Sequence, residues 1–352
     1  MLWAVVMAGG QGTRFWPESR AHQPKQFLQI FGPKTLLEQT LERLPKSIDR
    51  ARVLVVTQGN KAAWVARLLK IPAAQVVGEP VGRNTAPCAI LAAALAVHKD
   101  PEAVLAILPS DHRIENPKAY RAALLAGART AWEKKMPVTF GMKPHMPHTG
   151  YGYLELGDKM TGAGDVIYRL ERFHEKPDLE KAKFFLKTKR FLWNSGIFVW
   201  RADGLLEAAK AIMPEAHELA LQIAGKNFAV QMKKLYHRMP NISIDYGLME
   251  KLNGKILTLP ADFGWNDMGD WKTLAKFWPH DKNGNAVIGD VLTIDSSGNI
   301  VRAGKRLAVL LGVRDCLIVD TEDALLICPK GQTESIRKVV AQLKEKKRTR
   351  YL

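Results

Sequence analysis

The chain has 352 residues, 47% of them hydrophobic, and is therefore long enough to bury the core of a large α/β domain and of a smaller second one. Its net charge of +17 is typical of nucleic-acid-binding proteins, but the basic residues are scattered among acidic ones. The basic run at 344–350 fits a solvated helix end, so we predict no nucleic-acid partner. A positive field also attracts small anionic substrates.

The longest apolar run, residues 86–97, is alanine-rich and shorter than the roughly 18 residues that a membrane span needs. The first residues lack the basic segment and cleavage site of a signal peptide. Cys88, Cys316 and Cys328 have no metal-ligand spacing, which favours buried thiols in a reducing compartment. These features predict a cytoplasmic protein that does not associate with a membrane.

A glycine-rich turn follows the first predicted strand, residues 2–7, and reads Ala-Gly-Gly-Gln-Gly-Thr-Arg over residues 8–14. Glycines let main-chain N–H groups approach a polyphosphate, and Arg14 and Lys25 supply cationic donors for its oxygens. The turn is not a Walker A loop, because no Gly-Lys-Ser/Thr closes it, and Phe15 replaces the third glycine of a dinucleotide fingerprint. A simpler alternative is a tight turn with a surface arginine. The predicted nucleotide contacts here are Ala8, Gly9, Gly10, Gly12 and Thr13.

Further along the chain, apolar runs at residues 52–57 and 103–108 have the character of strands buried on both faces. Before these runs, Thr35 and Glu38 form a capping box ahead of a helix. Alternating strands and helices up to about residue 275 predict a doubly wound sheet, whose ligands gather at the carboxyl ends of its strands.

The segment at 78–87, Gly-Glu-Pro-Val-Gly-Arg-Asn-Thr-Ala-Pro, precedes an alanine-rich helix. A structural role for Thr85 as the helix N-cap accounts for part of it. Guanine presents two adjacent donors that a carboxylate accepts together, so we predict that Glu79 binds the base and that Asn84 lies beside it. We add Arg83 and Thr85 as nucleotide contacts.

The next motif, Leu-Pro-Ser-Asp-His at 108–112, follows a predicted strand, and we expect Ser110 to contact the nucleotide. Asp111 alone is explained equally well as the cap of a turn. Together with Asp267 it gives the oxygen ligands that Mg²⁺ prefers, the remaining ligands being waters and phosphates. His112 is predicted to hydrogen-bond locally.

Three glycine-containing or polar segments, at 149–153, 173–178 and 193–198, predict a sugar site. Hexose hydroxyls need short, rigid donors and acceptors, which main-chain groups and the side chains of Glu175 and Asn194 supply. We expect Gly152 to line this site and Lys176 to neutralise a sugar phosphate.

From about residue 283 the pattern changes to short strands near 286–288, 291–294, 308–311 and 316–319, followed by an amphipathic helix at about 333–344. Turn signals at intervals of roughly 8–12 residues predict a compact β module, either a small sandwich or a β-solenoid. We therefore predict a catalytic domain over residues 1–280 and a separate module over residues 281–352.

The motif Gly-Gly-x-Gly-Thr-Arg-x-Trp-Pro at 9–17, followed by Pro-Lys-Gln-Phe at 24–27, resembles the signature of the sugar-nucleotide pyrophosphorylases, most closely the mannose-1-phosphate guanylyltransferases. The other motifs occur in family order across about 265 residues. The resemblance implies a Rossmann-like nucleotidyltransferase core with a short left-handed β-helix that helps to form a homodimer. It also implies that Asp111 and Asp267 bind Mg²⁺, that residues 78–87 line the base and ribose pocket, and that Asp245 has a supporting role.

The function predicted from these features is synthesis of GDP-mannose and pyrophosphate from GTP and mannose 1-phosphate. The sugar phosphate attacks the α-phosphorus in line, with Arg14 on the β- and γ-phosphates and Lys25 on the α-phosphate. One alternative is a pyrophosphorylase for another hexose 1-phosphate or another base. A second is a catalytically silent GTP or sugar-nucleotide sensor, although a silent protein would be expected to lack Lys25 or a metal carboxylate, and both are present.

Overall fold

The computed structural model describes residues 1–162 and 164–352. Its strands, numbered along the chain, are β1 (Leu2–Ala8), β2 (Val53–Gln58), β3 (Val76–Glu79), β4 (Val104–Pro109), β5 (Arg113–Ile114), β6 (Val138–Met142), β7 (Tyr153–Gly162), β8 (Asp165–His174), β9 (Phe191–Arg201), β10 (Leu257–Ala261), β11 (Trp265–Asn266), β12 (Ala286–Ile288), β13 (Val291–Ile294), β14 (Ile300–Arg302), β15 (Ala308–Leu311), β16 (Cys316–Asp320) and β17 (Leu325–Pro329).

The α-helices are α1 (Leu36–Glu42), α2 (Ala62–Leu69), α3 (Thr85–Lys99), α4 (Pro117–Lys134), α5 (Leu179–Thr188), α6 (Ala202–Ile212), α7 (Pro214–Ala224), α8 (Phe228–Leu235), α9 (Ile244–Gly247), α10 (Trp271–Ala275) and α11 (Ile336–Glu345). Among the described residues, none of these helices is both long and apolar enough to cross a membrane.

Contacts within the chain define two compact units. The first unit contains residues 1–9 and 38–265, and the second contains residues 10–37 and 266–352. The contacts therefore group the glycine-rich turn from Gly10 onward with the C-terminal module. The division at residue 280, which was drawn from the change in sequence pattern, remains a prediction.

The first unit is built on a nine-stranded sheet, counted over the described residues, with the order β3-β2-β1-β4-β9-β6-β10-β8-β7. Strands β3, β2, β1 and β4 are parallel, whereas β9 runs antiparallel to both β4 and β6. The predicted α/β fold is confirmed, and the sheet is mixed because β9 lies between two strands of opposite direction.

Helices cover both faces of this sheet. Phe198 and Trp200 of β9 pack into a core with α3, α6 and α7. Val199, which faces the other way because side chains alternate along a strand, approaches Gly127 of α4. A Cβ on Gly127 would lie 2.7 Å from the Phe140 ring, so glycine allows α4 to approach the sheet closely.

The parallel register brings the ends of the first strands to one edge of the sheet. Ala8 pairs with Thr57, and Gln58 pairs with Glu79. Met7 pairs with Pro109 on the other side of β1. The polar segments that follow β1, β3 and β4 therefore start from the same edge, where ligands of parallel α/β sheets bind.

The second unit contains the C-terminal β module. Strands β12, β14 and β16 form a parallel ladder that β17 extends in the antiparallel direction, and β13 pairs in parallel with β15. Asn299 donates from Nδ2 to Asn285 Oδ1 at 2.9 Å, which links successive coils. The β-helix-like module is confirmed; its handedness stays a prediction. Strands β14 and β17 were missed in the sequence.

The amphipathic helix of the module begins later than predicted, because a 3₁₀ segment over Lys330–Ser335 precedes α11. Ile336 and Val340 of α11 pack in one core with Leu317 and Trp271. The prediction of buried thiols is right for Cys88 and wrong for Cys316 and Cys328, which are half-buried because they lie in and beside the outermost strand of the ladder.

Candidate active site

Two halves of the glycine-rich signature pack together in the second unit. Gly12 has a φ of 61°, and a Cβ there would lie only 2.4 Å from Lys25 Cβ. Gln26 donates from Nε2 to the carbonyl oxygen of Gly10 at 3.1 Å. The segment Thr13–Phe15 then forms one 3₁₀ turn. Glycine at 12 is therefore required both for the backbone conformation and for contact with the segment that carries Lys25.

Lys25 is buried and donates from Nζ to the carbonyl oxygen of Asp267 at 2.8 Å. The same ammonium group lies 5.5 Å from the centre of the Phe15 ring, within the range of a cation–π contact. Two residues predicted from motifs far apart in the sequence thus meet in the second unit.

A main-chain hydrogen bond within its own turn fixes the Asp267 carboxylate. Oδ1 accepts from the N–H of Gly269 at 3.0 Å. A Cβ on Gly269 would lie 3.0 Å from Asp267 Oδ2 and 3.3 Å from an Arg14 guanidinium nitrogen. Gly269 therefore leaves space beside both groups, and Arg14, Lys25 and Asp267 form one polar cluster.

The end of the chain contacts the signature at Trp16 and the nearby Arg20. The carbonyl oxygen of Tyr351 accepts from Trp16 Nε1 and from an Arg20 guanidinium nitrogen, both at 2.7 Å. Arg20 also forms a 2.7 Å ion pair with Asp323. Nothing in the sequence pattern pointed to these contacts, because a main-chain acceptor some 330 residues away leaves no motif.

In the first unit, Glu79 lies at the end of β3 and is only 7% exposed. Its Oε1 accepts a hydrogen bond from the hydroxyl of Tyr236, and a Cβ on Gly9 would lie 2.9 Å from its Oε2. Burial raises the pKa of Glu79 from 4.5 to about 7, although the bond from Tyr236 acts in the opposite direction. The sequence analysis missed Tyr236.

The residues after Glu79 form the start of α3. Asn84 has a φ of 65°, and its side chain caps the helix by accepting from the N–H of Thr85 at 2.9 Å. The N-cap role considered for Thr85 is therefore wrong; its hydroxyl instead accepts from the N–H of Ile244 at 2.8 Å. Arg83 donates to the carbonyl oxygen of His237.

Two side chains of the first unit hydrogen-bond to the main chain of the turn that follows β4. Thr40 donates from its hydroxyl to the carbonyl oxygen of Ser110 at 3.2 Å, and Arg43 donates to that of His112 at 2.9 Å. Burial lowers the pKa of Arg43, while the nearby charge of Asp111 acts in the opposite direction. His112 accepts from Trp265 Nε1 at 3.1 Å, which confirms its local hydrogen-bonding role.

The predicted sugar residues meet in the first unit. A Cβ on Gly152 would lie 2.6 Å from Glu175 Oε2 and 3.4 Å from Asn194 Cβ. Asn194 donates its main-chain N–H to the carbonyl oxygen of Gly152 at 2.8 Å and its Nδ2 to Asp245 Oδ1 at 3.2 Å. Lys176 forms an ion pair with Glu175. Three separate motifs thus meet in one polar cluster.

The charged side chains of this cluster change one another's pKa values. Burial, together with the charge of Glu175, raises the pKa of Asp245 from 3.8 to about 7. Burial alone would lower the pKa of Lys176, but the hydrogen bond and charge of Glu175 outweigh it, and the pKa of Lys176 is raised. The N–H of Glu175 donates to Glu250 Oε1 at 3.2 Å, a contact that the sequence analysis missed.

No group of three or more His, Cys, Asp or Glu side chains suited to a metal ion occurs among the residues that the structure describes. Mg²⁺ does not need one, because it is commonly bound by one or two carboxylates with waters and phosphates. Asp111 belongs to the first unit and Asp267 to the second. Their pairing as metal ligands remains a prediction.

The comparisons with known proteins agree with this geometry. Residues 3–283 match the nucleotidyl transferase family, and residues 289–343 match the MannoseP isomerase/GMP-like beta-helix domain. A mannose-1-phosphate guanylyltransferase of Escherichia coli is 35% identical over 360 residues, covering 100% of this chain and 76% of the relative. The chain belongs to the mannose-1-phosphate guanylyltransferase family. The predicted family and enzyme class are thereby confirmed.

Two further relatives extend the match. The xanthan biosynthesis protein XanB of Xanthomonas campestris (strain B100) is 36% identical over 347 residues, which cover 97% of this chain and 73% of the relative. A crystal structure from Thermus thermophilus, described as a mannose-1-phosphate geranyltransferase, is 35% identical with a TM-score of 0.87. It covers 97% of this chain and 99% of that one, so both the core and the β module have counterparts.

Proposed function

We propose that this enzyme makes GDP-mannose and pyrophosphate from GTP and mannose 1-phosphate by in-line attack at the α-phosphorus. The observation that carries this proposal is the cluster of Arg14, Lys25 and Asp267, in which a buried ammonium group is fixed at 2.8 Å from the Asp267 carbonyl. The names of the relatives support the substrate pair.

The attacking sugar phosphate is already an anion, so the reaction needs alignment and charge stabilisation rather than a covalent intermediate. In our proposal the main chain at 9–13 and the Arg14 guanidinium hold the β- and γ-phosphates. Lys25 stabilises the charge that develops at the α-phosphate. Its burial supports this role, because an ammonium group acts more strongly where water is excluded.

We assign the guanine edge to Glu79. Since Oε1 already accepts from Tyr236, Oε2 is the oxygen that we assign to the donors of the base. Because the pKa of Glu79 is about 7, the side chain is partly ionised at neutral pH. In our proposal the ionised form makes this contact with the base. Ser110, Arg83, Asn84 and Thr85 are proposed as further nucleotide contacts.

For the sugar phosphate we propose Gly152, Glu175 and Asn194 as ligands of the hydroxyls and Lys176 as the partner of the phosphate. Asp245 orients the Asn194 amide by accepting from Nδ2, which leaves Asn194 Oδ1 as an acceptor. The Thr139 hydroxyl lies 3.0 Å from that oxygen and 3.0 Å from the carbonyl oxygen of Ile197, so its single proton is shared between these two acceptors. Asn194 Oδ1 has a second lone pair that we assign to a sugar hydroxyl.

We propose Asp111 and Asp267 as the carboxylates that bind Mg²⁺. The space that Gly269 leaves beside the Asp267 carboxylate fits an oxygen-liganded ion there. When bound, Mg²⁺ would reduce the repulsion between the two anionic substrates.

The proposed homodimer has a suitable surface on the β module. Leu292 pairs with Val309 and Ile294 pairs with Leu311, so these four side chains share one face, and all are at least 44% exposed. An exposed apolar patch of this kind is typical of an interface between proteins. We propose that a second copy covers it, and that the enzyme acts in the cytoplasm, where free thiols such as its three cysteines are stable.

The reaction is tested by ³¹P NMR of the full chain with GTP, mannose 1-phosphate and Mg²⁺. The proposal expects the resonances of GTP and the sugar phosphate to be replaced by those of a sugar nucleoside diphosphate and pyrophosphate in equal amounts. Binding of GTP without any new phosphorus resonance would overturn it in favour of a sensor. Formation of product only with another hexose 1-phosphate would overturn the sugar assignment.

A further inference from the structure

Tyr236 and Glu79 form a buried hydrogen-bonded pair in the first unit, although 157 positions separate them in the sequence. Glu79 is the last residue of β3, and Tyr236 begins a 3₁₀ turn over Tyr236–Arg238 that follows α8. Tyr236 is completely buried. Oε1 of Glu79 accepts from its hydroxyl, whereas Oε2 lies beside Gly9, where a Cβ would come within 2.9 Å of it. The two carboxylate oxygens therefore have different neighbours.

The protonation state of Glu79 decides what its second oxygen can bind. A tyrosine hydroxyl has a single proton, and Tyr236 donates that proton to Oε1. When Glu79 is ionised, Oε2 is an acceptor. When Glu79 is protonated, Oε1 still accepts from the phenol, so the added proton lies on Oε2 and makes it a donor. One proton thus reverses the hydrogen-bonding role of Oε2.

The two purine bases differ in the same respect. Guanine presents two donors side by side, its N1–H and its exocyclic amino group, which suit an ionised carboxylate. Adenine has an acceptor, the unprotonated N1, in the corresponding position, which suits the O–H of a carboxylic acid. An ionised Glu79 therefore favours guanine, and a protonated Glu79 favours adenine.

We infer that Tyr236 is a specificity-determining residue, which holds Glu79 in its acceptor form through the hydrogen bond to Oε1 and so favours guanine over adenine. This inference rests on the proposed assignment of the guanine edge to Glu79. Its physical basis is that a hydrogen bond donated to a carboxylate stabilises the charged form over the neutral one.

The groups around Glu79 agree with this role. Burial raises the pKa of Glu79 to about 7, and the hydrogen bond from Tyr236 opposes that increase. Burial and the charge of Glu79 raise the pKa of Tyr236 far more than the charge of Arg83 lowers it, so the phenol keeps its proton. Burial and Glu79 also raise the pKa of Cys88 in α3, which keeps that thiol neutral. Neither neighbour adds a negative charge beside Glu79.

The inference is tested by nucleotide binding, without the transfer reaction. Isothermal titration calorimetry of the full chain with Mg²⁺ gives Kd for GTP and for ATP at pH 6, 7.5 and 9, with no sugar phosphate present. Both nucleotides carry the same triphosphate, so the titration of their phosphates cancels in the ratio of the two Kd values. For the wild type, the preference for GTP over ATP should increase from pH 6 to pH 9.

Tyr236→Phe keeps the ring and removes the donor. A hydrogen bond to a charged group changes an equilibrium about 10–100-fold, so Glu79 in this variant should ionise at a pH about one to two units higher. At pH 7.5 the variant should bind GTP about 3–20-fold more weakly and ATP about threefold more tightly. At pH 9 most of the GTP affinity should return.

A purely structural role for Tyr236 predicts a different result, because a packing defect would weaken GTP and ATP alike at every pH. Tyr168→Phe is the matched control: it removes a hydroxyl from half-buried β8 in the same unit and should leave both Kd values unchanged. If Tyr236→Phe fails to fold, Glu79→Gln decides. Its amide is a permanent donor, so its preference for GTP should be at least tenfold lower than that of the wild type at pH 9 and independent of pH.

Equal weakening of GTP and ATP in Tyr236→Phe, or a preference that matches the wild type at pH 7.5, would overturn the inference. A Glu79→Gln variant that keeps the wild-type preference would also overturn it. A wild type that binds GTP and ATP equally at every pH would overturn the guanine assignment of Glu79 as well. Failure of the transfer reaction, with GTP still preferred in binding, would overturn the proposed reaction and leave the role of Tyr236 standing.

Discussion

The ammonium group of Lys25 donates to the main-chain carbonyl oxygen of Asp267 at 2.8 Å, although the two residues lie 242 positions apart in the sequence. The contact joins a residue proposed to stabilise the α-phosphate with one proposed to bind Mg²⁺. Because the carbonyl fixes Nζ in advance, the charge needs little reorganisation when the substrates bind.

We expect Lys25→Ala to reduce kcat about 10²–10³-fold, or about 3–4 kcal/mol, because it removes a donor to charge that develops in the transition state. Initial rates of pyrophosphate release measure the effect. Lys61→Ala, at a cation outside the proposed site, serves as the control and should retain its rate. A change of less than threefold in Lys25→Ala would contradict the assigned role.

Gly152→Ala should raise KM for mannose 1-phosphate at least tenfold and leave KM for GTP unchanged. The added methyl group would lie 2.6 Å from Glu175 Oε2, so the carboxylate must move away from its position in the sugar pocket. Gly331→Ala is the matched control, because a Cβ there meets nothing within 4 Å. Equal KM changes for both substrates would show that the pocket assignment is wrong.

The raised pKa of Glu79 predicts a pH-dependent stability. Its pKa is about 7 in the folded chain against an ordinary value of 4.5, so the folded state retains a proton that the unfolded state releases between these values. The contribution of Glu79 to the free energy of unfolding should therefore be greatest below pH 4.5 and decrease by up to about 3 kcal/mol as the pH rises to 7.

Urea unfolding at several pH values tests this directly. Glu79→Gln, which cannot ionise, should show a flatter decrease over the same window. Asp245, whose pKa is also raised to about 7, contributes a slope of the same sign. The variant Asp245→Asn measures that contribution separately from the contribution of Glu79. A variant slope identical to that of the wild type would contradict the assignment to Glu79.

Removal of residues 349–352 should destabilise the second unit. The carbonyl of Tyr351 accepts from Trp16 and Arg20, which are 7% and 6% exposed, and deletion leaves both donors without this acceptor. We expect a loss of about 2–4 kcal/mol in the free energy of unfolding, measured by urea titration. Tyr351→Ala retains the carbonyl and should cost much less.

Charge on the exposed face of the β module should disrupt the homodimer. Leu311 is 70% exposed and shares its face with Ile294, so Leu311→Asp places a charge in the proposed interface. Sedimentation velocity should show a monomer for this variant and a dimer for the wild type. Ile327→Asp, on another strand and 62% exposed, is the control. A monomeric wild-type chain would refute the proposed dimer.

The sequence predicted those parts of the fold whose residue pattern lies within one short segment. The buried runs of β1, β2 and β4 and the glycines at 9–12 carry their own signals. Contacts between distant segments were not predictable, because Tyr236 beside Glu79 and Tyr351 beside Trp16 have no fixed spacing. The short strand β14 was missed because only two of its residues, Ile300 and Val301, are apolar, whereas all three residues of the predicted strand β12 are. Asn84 rather than Thr85 caps α3, since only a residue that tolerates a positive φ fits there.

The most direct test of the proposed function is pyrophosphate release with mannose 1-phosphate and Mg²⁺, comparing GTP, ATP, UTP and dTTP in the wild type and in Asp111→Asn. We predict rapid release with GTP alone and a loss of at least about 10²-fold in the variant, because one proposed metal ligand is removed. Equal rates with all four nucleotides, or an unchanged rate in Asp111→Asn, would contradict the proposed guanine recognition or the metal assignment, respectively.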